Sequence, residues 1–108
     1  MHCISIQIQP EHISNFDQKS FLAHVKMIGR SPEIDDFQEK GKHYLQFNFF
    51  TERPYSLWQE LTTTLYQNKD YGGIIGPVSI VICENEDSDE ECLLLHHFDK
   101  NEKIDALK

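Results

Sequence analysis

The sequence predicts an α+β domain: an antiparallel sheet of about five strands with two helices packed on one face. Three observations predict it. Strand-like alternation recurs at residues 3–9, 42–50, 78–83 and 92–98, and two stretches with helical spacing lie between. The elements follow in the order β-α-β-β-α-β-β, whose first six match a split βαβ, ferredoxin-like arrangement. Each strand set offers one apolar face, so the other face of the sheet is left for solvent or a partner.

Residues 3–9 alternate, with Ile4, Ile6 and Ile8 opposed to Cys3, Ser5, Gln7 and Gln9. Pro10 ends that strand. The spacing of Phe21, Leu22, Val25 and Ile28 predicts a helix over 17–28, capped by Ser14 or Asn15 and closed by Gly29. Lys19, Lys26 and Arg30 fall off its apolar stripe, toward water. Residues 33–38 read as a short or bulged edge strand, because Ile34 and Phe37 are out of phase. Lys40-Gly41 makes a turn. In 42–50, His43, Leu45, Phe47 and Phe49 share one face and Tyr44, Gln46, Asn48 and Phe50 the other.

A second helix is predicted to 68, with Ser56 to Gln59 as a capping box and Leu57, Trp58, Leu61, Leu65 and Tyr66 as its stripe. Thr62, Thr63 and Thr64 weaken its propensity. The glycine-rich stretch 71–76 reads as a flexible connector; it follows a helix and so offers no helix N-terminus for phosphate. Strands 78–83 and 92–98 form a hairpin with an acidic loop, 84–91, at its tip. Residues 1–98 are thus expected to form one domain and 99–108 a polar tail, fraying or ending in a short helix.

With 108 residues the chain suits one domain, burying roughly two-thirds of its unfolded surface. No apolar run approaches the roughly 20 residues of a membrane helix, and the first residues lack a signal-peptide pattern, so the cytoplasm is the expected location. The net charge is −8 from 18 acids and 10 bases. Six of those acids are Glu84, Glu86, Asp87, Asp89, Glu90 and Glu91, in a run without a base. Removing them leaves 12 acids against 10 bases, so the acidity reads as local. Concentrated negative charge steers basic partners and argues against direct nucleic-acid binding.

The sequence predicts no catalytic residue, metal or cofactor. No nucleophile-elbow, P-loop, zinc-protease or dinucleotide motif occurs. Cys3 with His43 is a conceivable nucleophile pair without local support. Asp35 and Asp36 point to opposite faces of a strand and make no carboxylate dyad. Cys92 and His96 lie about 13 Å apart along a strand, too far to share a zinc without cross-strand help, for instance from Cys83. The acidic run lacks the spaced acids and the glycine of a calcium loop. It is either a solvated hairpin tip or a docking surface.

In size, charge and α+β layout the whole chain resembles the immunity proteins of bacterial toxin–immunity pairs, including those of contact-dependent growth inhibition. The resemblance implies an inhibitor that binds a basic toxin domain, often a nuclease. The expected partner-binding residues are Glu84, Glu86, Asp87, Asp89, Glu90 and Glu91, with Tyr44, Phe50 and Tyr55 as aromatic anchors. The alternative is a small ferredoxin-like enzyme or ligand-binding module that oligomerises through its open sheet face, for instance as a homodimer.

Overall fold

Ile4, Ile6 and Ile8, all fully buried, put the first strand at the centre of the sheet. The computed structural model describes residues 1–107, with only the backbone of 88–91 described. The elements are β1 (His2–Ile8), a 3-10 turn at Pro10–Asn15, α1 (Gln18–Met27), β2 (Glu33–Glu39), β3 (Lys42–Thr51) and α2 (Pro54–Leu61). A π-helical turn (Thr62–Tyr66), α3 (Gly72–Ile75), a 3-10 turn (Gly76–Val78), β4 (Ser79–Asn85) and β5 (Ser88–His96) follow. The five strands lie in the order β2-β3-β1-β4-β5, every neighbouring pair antiparallel. The predicted α+β architecture is therefore present, with β5 added beside β4.

One face of the sheet and the helices make the core. Ile4, Ile6, Ile8, Leu45, Phe47, Phe49, Val81, Cys83 and Leu95 pack against Phe21 and Val25 of α1 and Leu57 and Leu61 of α2. Phe21 and Phe47 meet with ring centroids 4.3 Å apart. Burying such aromatic pairs dominates the stability of a core this size.

Several local expectations are corrected. The cap of α1 is Asp17, whose carboxylate accepts from Ser20 N–H at 3.1 Å, because residues 10–15 are already wound into the 3-10 turn. Its C-terminus closes as expected at Gly29, φ +72°. Gly29 N–H donates to Lys26 and Arg30 N–H to Val25, a Schellman motif. Arg30 is not left in water: its guanidinium donates twice to one Glu60 oxygen, at 2.6 and 3.2 Å, and ties α1 to α2.

Helix α2 starts at Pro54 in place of a capping box at Ser56, since proline's fixed φ suits the first helical position. The threonine triplet lies in the π-helical turn, where Gln67 N–H reaches Thr62 carbonyl at 2.8 Å. The glycine-rich stretch is no loose connector. It winds into α3, with Tyr71 and Ile75 buried, and a Cβ on Gly72 would meet Tyr66 carbonyl oxygen at 2.4 Å.

β2 is a full seven-residue strand paired to β3 without a bulge. The acidic run is mostly strand as well. β4 extends to Asn85 and β5 begins at Ser88, which leaves Glu86-Asp87 as the turn. β5 therefore occupies Ser88–His96, earlier in the chain than expected. The tail neither frays nor forms a helix among the described residues. Asp105 accepts from Leu94 N–H at 2.8 Å and donates its own N–H to Leu94 carbonyl at 2.7 Å, while Leu107 packs on the core.

The open acidic face of the sheet

The face away from the helices is built by the alternate residues of the same strands. β1 contributes Cys3, Ser5 and Gln7; β3 contributes Tyr44, Gln46, Asn48 and Phe50, each opposite its β1 or β2 partner. β2 adds Glu33, Asp35 and Phe37, and β4 adds Ile80, Ile82 and Glu84. A polar ladder crosses the middle. Ser5 hydroxyl donates to Asn48 Oδ1 at 2.7 Å and Gln46 amide to the same oxygen at 2.9 Å. Asn48 Nδ2 in turn donates to Asp35 at 2.7 Å. Ser5 and Asn48 are buried although no helix covers them. Their mutual hydrogen bonds offset the desolvation cost.

The ladder floors a hollow of about 260 Å³ rimmed by Glu33, Asp35, Glu84 and Glu86, with Phe50 at its side and no base in the lining. Cys3 lies in the floor. Burial pushes its thiol pKa up; Glu86, Glu84 and Glu33 add to this, and a bond with Ser5 opposes it. A thiol held protonated is a poor nucleophile. The strand register puts Cys3 opposite Phe50, while His43 faces the helix side and pairs with Asp36. The conceivable Cys3–His43 pair is therefore not brought together.

The expected partner-binding residues divide. Glu84, Glu86, Tyr44 and Phe50 do reach this face. Tyr44 stacks on Phe37 with ring centroids 5.4 Å apart, and Phe50 is 45% exposed. Asp87 is at the turn, where the Met1 amino group donates to it at 2.9 Å. That hydrogen bond, with the amine's charge, holds the Asp87 carboxyl below its ordinary value. Tyr55 stands in the helix layer, on α2, accepting a hydrogen bond from Gln59. Asp89, Glu90 and Glu91 lie outside the described side chains. Glu33 and Asp35 are rim carboxylates that the sequence reading did not assign. Their signal was four acids within seven residues of β2.

Other clusters are less convergent. Asp35 and Asp36 do lie on opposite faces, as expected. Cys83 is buried under the helices, whereas Cys92 is exposed opposite Glu84 on the other face. A bulge in β5 turns His96 to the helix side, where its Nε2 meets Gly76 carbonyl at 2.9 Å. No group of three metal-ligating side chains occurs among the described residues. Another hollow, of about 530 Å³ between β1, β4, β5, the start of α2 and the tail, brings together His2, Cys83, Leu93 and Leu107. Among the described residues no helix is long and apolar enough to cross a membrane.

Comparison of the chain with protein-family models, with curated proteins and with solved structures returned no match.

Proposed function

We propose that the protein is a small binding inhibitor of the immunity class, holding a basic toxin domain, such as a nuclease, against its open sheet face. One observation carries this reading. Four carboxylates share the rim of a single shallow hollow that no base lines. A lysine or arginine entering it exchanges water for charge-assisted hydrogen bonds, and the patch steers such a partner before contact. Phe50 beside the rim offers an apolar anchor. The same like charges would confront each other if two copies met through this face, which disfavours the homodimeric alternative. The reading assigns no catalytic role, in keeping with the protonated Cys3 thiol.

The test is binding and rescue with any basic toxin domain that a neighbouring reading frame proves to encode. The expected result is a stable heterodimer whose association slows as salt rises, and rescue of growth when that domain is expressed. Replacing Glu33, Glu84 and Glu86 by Gln removes charge and leaves the Asn48–Asp35 bond in place. That variant should associate roughly tenfold more slowly at low salt. Unchanged association at low salt would remove the open face from the mechanism.

A further inference from the structure

β2 is a sheet edge left open. Its one neighbour in the sheet is β3, and all seven of its residues are exposed. Alternate residues of an edge strand present unpaired N–H and C=O groups outward. Folded proteins blunt such edges with bulges, prolines, short length, a covering segment or charged side chains. β2 has none of the first three: Glu33–Glu39 contains no proline, pairs with β3 in unbroken register, and extends about 23 Å. Charge is what remains, and its sign is uniform. Glu33, Asp35, Asp36 and Glu39 are acids, and the strand holds no base. Glu33, Asp35 and Glu39 project on the open face and Asp36 on the helix side, so a sixth strand would meet carboxylates on both faces.

That pattern selects an occupant. A second copy pairing antiparallel about the centre of β2 would set Asp36 against Asp36 and Glu33 against Glu39. Like charges directly opposite in a sheet are destabilising. A strand bearing Lys or Arg meets opposite charges at the same positions, and Ile34 and Phe37, 43% and 36% exposed, take its apolar residues. We propose that β2 accepts an extended basic strand of a partner protein as the sixth strand of the sheet, by main-chain pairing. The inference concerns the mode of attachment and stands whether or not the partner is a toxin.

The probe is a blocked synthetic peptide of alternating lysine and valine, as long as β2, added to the isotope-labelled full chain. Saturable amide shifts along Glu33–Glu39, with slowed exchange of its outward amides, are expected. Two companion peptides are N-methylated at alternate residues, one in each register. The one blocked on the pairing edge should bind roughly tenfold or more weakly, as the loss of two or more backbone hydrogen bonds implies. The double variant Asp36→Lys, Glu39→Lys changes exposed residues that do not line the acidic hollow. It should lose the lysine peptide and gain a glutamate–valine one.

Three results would overturn the proposal: shifts confined to Cys3, Asn48 and Glu84, equal binding of both methylated peptides, or no saturable shift. None of them counts against the open-face inhibitor, whose own test reads Glu33, Glu84 and Glu86 against a folded domain. A β2 variant that unfolds is recognised from its dispersed spectrum being lost, and the methylated peptides on the unaltered chain then decide.

Discussion

Hairpin β2–β3 and hairpin β4–β5 each supply one edge of the sheet, yet the two edges are treated in opposite ways. The β4–β5 edge is broken by two register shifts, at Val81/Ile82 and at Glu84/Asn85. Asp105 occupies both backbone groups of Leu94, and His96 anchors the strand to Gly76 from the helix side. The N-terminal residue holds its turn, through Asp87 and through Glu86 N–H, which donates to Met1 carbonyl at 2.9 Å. The β2–β3 edge has a straight register and a turn closed by Lys40 and Gly41, both with positive φ. The β5 edge is thus blunted by geometry and cover, and the β2 edge by charge of one sign alone. An edge guarded only by carboxylates fits a surface that rejects its own copies and admits a basic strand.

The largest expected effect comes from removing the cover of β5. Truncation after Lys103 deletes the two Asp105 hydrogen bonds and the packing of Leu107. At about 1 kcal/mol per hydrogen bond and a partial apolar burial, this costs roughly 2–3 kcal/mol. Urea unfolding reads the loss, and Leu94 amide exchange should accelerate with it. If stability holds while exchange is unchanged, the tail does not cover the edge and the contrast between hairpins collapses.

The strands themselves were legible in the sequence, the contrast between the two edges was not, and the unread part has physical causes. Ile4, Ile6 and Ile8 announced β1, and the β3 alternation named both of its faces correctly. Ile34 and Phe37 are out of phase because β2 has neither face buried, so no apolar period was imposed on it. The acidic run looked like a loop because acids are poor strand formers. Pairing of Glu84 and Asn85 to β1, and of β4 to β5, overrides that preference. The acids of β2 were visible as a cluster, but Glu33 and Asp35 were not assigned to a site because they share a rim with Glu84 and Glu86 only across the two intervening strands β3 and β1. Asp105 gave no local signal at all, since its role depends on where the tail returns.

The second effect is a pH dependence confined to the covered edge. Burial lowers the pKa of His96 below its ordinary 6.5; the bond to Gly76 opposes this and the neighbouring His97 adds to it. A depressed imidazole pKa means the unfolded chain binds the proton more readily than the folded one. Stability is therefore full above about 6.5, falls as pH drops through 6.5 toward the lowered folded value, and levels off below it. Thermal melts across that window should show the loss. His96→Gln can still donate to Gly76 and does not titrate, so its melts should be flatter over the same range. Equal slopes for the two proteins would place the pH response elsewhere.

The smallest effect belongs to the open edge and tests how its turn was chosen. A two-residue hairpin turn with positive φ at both positions favours Asn-Gly, because Asn tolerates the left-handed region better than a long side chain. Here Lys40, φ +52°, stands at the first position. Lys40→Asn should therefore stabilise the protein by roughly half a kcal/mol, read as a small rise in the denaturation midpoint. The same change removes the base that follows Glu39 and leaves the carboxylates of β2 less screened, so binding of the lysine–valine peptide should tighten slightly. If Lys40→Asn stabilises the turn and weakens the peptide instead, Lys40 itself contacts the added strand and the register of that strand must run past Glu39.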